Sequence, residues 1–182
     1  HELRTPLTSI RGSLGLIAQP FAGQLSAAGR ELIEIAGENC ERLIALINDI
    51  LDIDKIASGE MRLDMAVHEA AGLVERAVKA NAAYADKFGI AIHLGVLPPG
   101  LLLRVDETRF SQVMANLLSN AVKFSPEGST VEITVTPEPE GFVRVGVIDH
   151  GPGIAPEHQS RIFDRFYQVQ AGVPNGRPGS GL

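Results

Sequence analysis

Two kinds of hydrophobic spacing divide this chain. Leu3, Leu7, Ile10 and Leu14 recur at steps of three and four, the spacing of one helix face, so His1 to about Ala18 reads as a helix. Gln19-Pro20-Phe21-Ala22-Gly23 interrupts it with proline and glycine. Ser26 is placed to cap a second helix, which Ser58-Gly59 stops after about Ala57. Within it Ala36, Asn39, Leu43, Leu46, Ile50 and Ile53 keep the helical step. Ile35, Cys40, Ile44, Ile47 and Leu51 widen the apolar face beyond that of a lone surface helix. Two helices joined by a short loop form an antiparallel hairpin, and this one cannot bury both of its apolar faces alone. Pairing with a second copy would complete a four-helix bundle; packing on the rest of the same chain is the alternative.

After residue 58 the spacing shortens and mixes. Met61, Leu63 and Met65 alternate with polar residues as a strand-like linker. Leu73, Val74, Ala77, Val78, Tyr84, Ala85 and Phe88 fit a helix from about Glu69 to Lys87, closed by Gly89. Ile90 to Val96 alternates as a strand, Pro98-Pro99-Gly100 is a turn, and Leu101 to Val105 is a short apolar strand. Asp106 can cap a helix from about Glu107 to Phe124, with Phe110, Val113, Met114, Leu117, Leu118 and Ala121 on its apolar face. Val131, Ile133 and Val135 point one way along a strand, and Glu132 and Thr134 the other. Pro137 to Gly141 is a hairpin turn. Val143 to Ile148 is nearly continuous apolar strand, as expected where helices cover one face and neighbours flank both edges. Helices interleaved with short strands predict an α/β layer structure. The expected organisation is a helical domain over 1–57, a hinge over 58–66 and an α/β domain over 67–182.

Composition narrows the function without naming it. The 182 residues are 45% hydrophobic and 21% charged, the balance of a globular protein. A formal net charge of −6 disfavours a nucleic-acid surface. The single cysteine, Cys40, rules out an internal disulfide and a cysteine-built metal site. No apolar run reaches the length of roughly 18 residues that a membrane span needs, so no membrane contact is expected within the chain. It opens on His1 without a signal peptide and is expected to be a fragment, with any anchor or sensor domain outside it.

Three stretches carry candidate chemistry. On a helix, Thr5 lies one turn from His1, and Glu2 sits beside Thr5. His1 is then a candidate nucleophile next to a carboxylate able to take its proton; a solvated surface histidine is the bland alternative. Pro6 cannot donate to the carbonyl of Glu2, which loosens the helix there. On the helix 107–124, Asn116, Asn120 and Lys123 form a stripe separate from the apolar face. An amide oxygen is a hard ligand suited to Mg²⁺, and a second amide and an ammonium can hold phosphate oxygens. A merely solvated polar face is the competing reading. Asp149-His150-Gly151-Pro152-Gly153-Ile154 directly follows the apolar strand. A carboxylate there can accept from an exocyclic amine, and glycines let backbone approach a flat ligand.

The stretch His1-Glu2-Leu3-Arg4-Thr5-Pro6-Leu7 closely resembles the phosphoacceptor box of the sensor histidine kinases. In that family the histidine is phosphorylated on a ring nitrogen, the glutamate assists as a base, and the threonine helps place water for the reverse reaction. The resemblance gives those roles to His1, Glu2 and Thr5. Asn116 to Phe124 resembles the family's N box, which implies Asn116 on Mg²⁺ and Asn120 and Lys123 on the phosphates, with Phe124 closing the string. Asp149 to Ile154 resembles the G1 box, which implies Asp149 on the adenine amino group and Gly151, Gly153 and Ile154 around it. Arg161-Ile162-Phe163-Asp164-Arg165-Phe166-Tyr167 resembles the F box that begins the ATP lid. Phe163 and Phe166, three apart on a short helix, are expected to pack and anchor that lid. Gly179-Ser180-Gly181-Leu182 resembles the start of the G2 box, which implies Gly179, Gly181 and Leu182 at the triphosphate. Asp106 and Arg109 match the usual beginning of the N-box helix, in a structural role. Gln168 stands where many relatives carry arginine.

Five such motifs in family order imply a multidomain α and α+β protein. A helical hairpin dimerises into a four-helix bundle and precedes an α/β sandwich ATP-binding domain of the histidine kinase, topoisomerase and chaperone ATPase type. The implied activity is Mg-ATP-dependent autophosphorylation of His1, then transfer to an aspartate of a response-regulator receiver domain, with a phosphatase activity left open. The implied setting is a cytoplasmic homodimer whose parent is membrane-anchored or not. Truncation at both ends of the family core is expected to leave ATP binding weak. The rivals are another ATPase of the same nucleotide fold, which lacks the His1 hairpin, and a dimeric nucleotide-binding scaffold without kinase activity.

Overall fold

Ser26 accepts a hydrogen bond from the Gly29 amide at 3.1 Å, and the helix it starts runs unbroken for 31 residues. The computed structural model describes residues 4–18, 26–164 and 167. Helices α1 (Arg4–Ala18) and α2 (Ala27–Ala57) belong to one unit, which takes in the described residues up to Met61 together with Asp164 and Tyr167. Cys40 is buried in it, and its thiol lies 3.5 Å from the Leu7 carbonyl. That contact sets the early part of α1 against the middle of α2, as antiparallel packing requires. Gly59, at φ +71°, ends the helix in the left-handed conformation that glycine adopts without strain. Leu32, Ile35, Leu43 and Ile50 remain 47–67% exposed on the outer side of α2.

The second unit comprises residues Arg62 to Phe163 of the described chain. Its strands form two sheets. β1 (Ala66–Glu69) pairs antiparallel with β3 (Leu102–Val105). β2 (Ala91–Leu94), β4 (Thr130–Pro137) and β5 (Val143–Ile148) lie in the order β2-β4-β5, the first pair parallel and the second antiparallel. Helices α3 (Ala70–Lys87) and α4 (Glu107–Phe124) pack together and supply the core. Leu73 and Val74 from α3, Met114 and Leu118 from α4, and Val131 and Ile133 from β4 are 0–2% exposed. Alternation along β4 therefore sorts its faces as expected: Val131, Ile133 and Val135 go inward, and Glu132 goes out. Glu140, at φ 61°, and Gly141, at φ 79°, turn the β4–β5 hairpin. A last short helix, α5 (Pro156–Gln159), follows β5.

Three expectations need correction. Met61 to Met65 form no strand, because the Asp64 amide is bonded to the Asp106 side chain instead of to a neighbouring strand. The strand begins only at Ala66. β5 has one neighbour among the described residues, not two, and Ile148 on it is 46% exposed. On α4, Val113 and Leu117 are 56% and 45% exposed while Val122 is buried. The core meets α4 along Met114, Leu118, Ala121 and Val122, a line rotated away from the centre of the apolar stripe. The reason is that α4 packs on α3 as well as on the sheet, and Val122 belongs to the core they share.

Candidate functional site

Helix α4 carries the central stripe. Asp106 caps it: Oδ1 accepts from the Arg109 amide at 3.1 Å. This bond, then one from the Asp64 amide, holds the Asp106 carboxyl below its ordinary value of 3.8. Glu107 in the first turn is paired with Arg76 of α3 at 2.7 Å. Asn116 and Asn120 are exposed, and among the described residues neither carboxamide has a hydrogen-bond partner. Two other helical asparagines differ. Asn39 donates back to the Ile35 carbonyl at 2.9 Å, and Asn81 to the Ala77 carbonyl at 2.8 Å. The α4 pair thus presents free oxygens and amides to solvent. Lys123 lies half-buried with Nζ 5.0 Å from the centre of the Phe124 ring, a cation–π contact that steadies a long side chain.

The loop after β5 is brought to the C-terminal end of this helix. Asp149 Oδ1 accepts from the Gly151 amide at 2.8 Å, which folds the loop back on itself. Gly151 passes so close to α4 that a Cβ there would lie 2.9 Å from the Phe124 carbonyl oxygen. Only glycine fits that approach. Gly153 takes φ +71°, again a glycine conformation. Asp149 and Ile154 are exposed, and the Ile154 carbonyl accepts from Gln159 Nε2 of α5 at 2.9 Å. The loop carrying Asp149, Gly151 and Gly153 thus meets the helix carrying Asn116, Asn120 and Lys123 at its C-terminal end, where Gly151 approaches Phe124.

Phe163 is 93% exposed, in turns that follow α5, and its expected partner Phe166 lies outside the described residues. The helix falls earlier, at Pro156–Gln159, where Pro156 can take its first position. Thr5 lies in the first turn of α1. His1, Glu2, Phe166, Gly179, Gly181 and Leu182 lie outside the described residues. Two features had no readable sequence signal: the Gly151–Phe124 approach and the second hydrogen bond of Asp106. Among the described residues no cluster of three or more His, Cys, Asp or Glu side chains could hold a metal ion.

Comparison with known proteins gives matches over both units. Residues 1–59 match the family model of the His Kinase A (phospho-acceptor) domain. Residues 105–182 match that of the histidine kinase-, DNA gyrase B- and HSP90-like ATPase. The histidine protein kinase DivJ of Caulobacter vibrioides is 36% identical over 183 residues, which cover all of this chain and 30% of DivJ. The sensor protein EvgS of Escherichia coli K12 is 36% identical over 188 residues, 15% of its length. The chain thus spans less than a third of these curated relatives. Among solved structures, full-length ShkA in complex with AMPPNP matches with a TM-score of 0.77 at 32% identity, over all of this chain and 37% of that one. The Acinetobacter baumannii histidine kinase AdeS matches with a TM-score of 0.57 at 25% identity, over 86% of this chain and 76% of its own.

Proposed function

The chain belongs to the sensor histidine kinases, and from that membership we propose that it is the core of a kinase that phosphorylates its own His1 from Mg-ATP and passes the phosphoryl group to an aspartate of a response-regulator receiver domain. The observation that carries this reading is the pair of unpartnered carboxamides, Asn116 and Asn120, beside the loop that Gly151 seats on the end of α4.

In this reading Asp149 accepts from the adenine amino group, and Gly151 and Gly153 keep Cβ atoms out of the ring's path. Asn120 and Lys123 hold phosphate oxygens, and the Asn116 amide oxygen supplies one donor for Mg²⁺. Bound there, the metal would neutralise phosphate charge in a loose phosphoryl transition state. His1 attacks through a ring nitrogen: a phosphorus–nitrogen bond forms, the bond to the β-phosphate bridging oxygen breaks, and ADP leaves with the electron pair. Glu2 receives the ring proton. Thr5 positions water for the reverse, dephosphorylating reaction. The apolar stripe Leu32, Ile35, Leu43 and Ile50, left exposed by the hairpin, supports a homodimer built as a four-helix bundle. A module that needs ATP and a receiver domain belongs in the cytoplasm.

The test uses the full-length kinase with ATP labelled on the γ-phosphate. Acid-labile, alkali-stable label that disappears in His1→Gln is the expected result. Asn116→Ala is expected to abolish labelling with the fold intact by circular dichroism. Mg-dependent labelling that survives Asn116→Ala would count against the assigned ligand. Bound nucleotide with no label in the unmodified kinase would favour a scaffold.

A further inference from the structure

An N-cap needs one oxygen, and Asp106 uses two. Its Oδ1 closes the first turn of α4 on the Arg109 amide. Its Oδ2 accepts from the Asp64 amide at 2.9 Å, across 42 residues of sequence. Asp64 lies in the segment that leads into the α/β unit, three residues after Met61. On either side of it, Leu63 and Met65 line an apolar groove of about 270 Å³ with Val105, Phe110 and Val113. Leu63 is 52% and Met65 40% exposed, so apolar packing holds the segment only partly. The bond to a charged acceptor adds a directional tie to that packing. Both bonds lower the Asp106 pKa, as expected of a carboxylate held in its ionised form.

We propose that Asp106 is a positioning residue that clamps the incoming segment, at Asp64, to the helix bearing Asn116, Asn120 and Lys123, so that a displacement of the one moves the other. A rigid helix transmits a shift at its first turn along its whole length. The functional consequence rests on the nucleotide reading of α4; the clamp itself rests on the two hydrogen bonds.

Two substitutions cut the same link from opposite sides. Asp106→Ser keeps a good N-cap but has one oxygen and cannot serve both amides. Asp64→Pro removes the donor and leaves Asp106 intact. Residue-resolved hydrogen exchange on the 182-residue chain is expected to show amides 116–124 opening faster in both variants, by roughly tenfold for a lost bond to a charged group. The double variant is expected to open no faster than Asp64→Pro alone, because the effects share one contact. Wild-type exchange at 116–124 in both variants, with acceleration confined to 62–65, would overturn the clamp. Asp106→Ser decides alone if Asp64→Pro does not fold by circular dichroism. In the full-length kinase, saturating Mg-ATP is expected to slow exchange of the Asp64 amide severalfold, and not in Asp106→Ser. An Asp64 amide indifferent to bound nucleotide in the unmodified kinase would overturn the coupling. Absence of Mg-ATP binding by calorimetry would sink the nucleotide reading instead, while exchange at 116–124 still decides the clamp.

Discussion

Gly151 is where the loop after β5 meets the end of α4, and one methyl group there has a defined effect. In Gly151→Ala the new Cβ meets backbone, the Phe124 carbonyl, which cannot rotate away. The loop must withdraw, and with it Asp149. Overpacking of this kind costs about 1–3 kcal/mol, so nucleotide affinity of the full-length kinase is expected to fall by roughly ten- to a hundredfold in a calorimetric titration. An unchanged affinity would remove Gly151 from the site. Gly146 offers the contrasting case. A Cβ there lies 2.6 Å from Thr134 Oγ1, a side-chain atom on the adjacent strand β4. Gly146→Ala is expected to destabilise the sheet by about 1–2 kcal/mol, and Thr134→Ala is expected to restore most of the loss in urea unfolding. Additive losses in the double variant would show that the clash is not the cause.

Among the elements, α4 shows how far periodicity reaches. Its boundaries and its cap follow from Asp106 and the break at Ser125-Pro126, and the structure places both as expected. Its buried line does not follow, because six apolar residues span a broad arc and only the neighbours decide which part of it is covered. Val113 and Leu117 stay exposed and Val122 does not. The cap also has a pH signature. Asp106 has a lowered folded pKa, so its contribution to stability is complete above its ordinary value of 3.8 and is lost as pH falls from there through the lowered value. Asp106→Ala is therefore expected to flatten the acid limb of the stability profile below about pH 4; an unchanged limb would show that the carboxylate is not bonded in the folded state. On α2 the exposed stripe makes a separate prediction. Ile50→Glu, at a position 53% exposed, is expected to dissociate the dimer in light scattering while helicity in circular dichroism persists. A dimer that survives it would place the interface elsewhere.

The whole chain consists of two units, and they are expected to lose structure by different laws. A hairpin that buries its outer stripe against a second copy is stabilised by mass action, so its melting temperature rises with protein concentration. The unit over 62–163 has its own core from α3, α4 and β4 and should melt independently of concentration. Calorimetry over a tenfold or wider concentration range is expected to show one transition moving and one stationary. Two stationary transitions would argue that the hairpin does not depend on a partner.

What the sequence alone determines here is local. Helix caps at Ser26 and Asp106, stops at Gly59 and Gly89, and the inward set Val131, Ile133 and Val135 are written at spacings of a few residues, where each residue answers to its own backbone. The motif strings are local too, which is why the stripe of Asn116, Asn120 and Lys123 is legible in the sequence alone. The tertiary structure decided the rest. It chose which apolar residues of α4 are covered, gave β5 one neighbour among the described residues, left Phe163 exposed, and bonded Asp64 to Asp106 where alternation suggested a strand. It also brought Gly151 to Phe124, so that the loop after β5 meets the end of α4. Each of these depends on contacts between distant segments, and no pattern within a short window encodes the surface that another element will present.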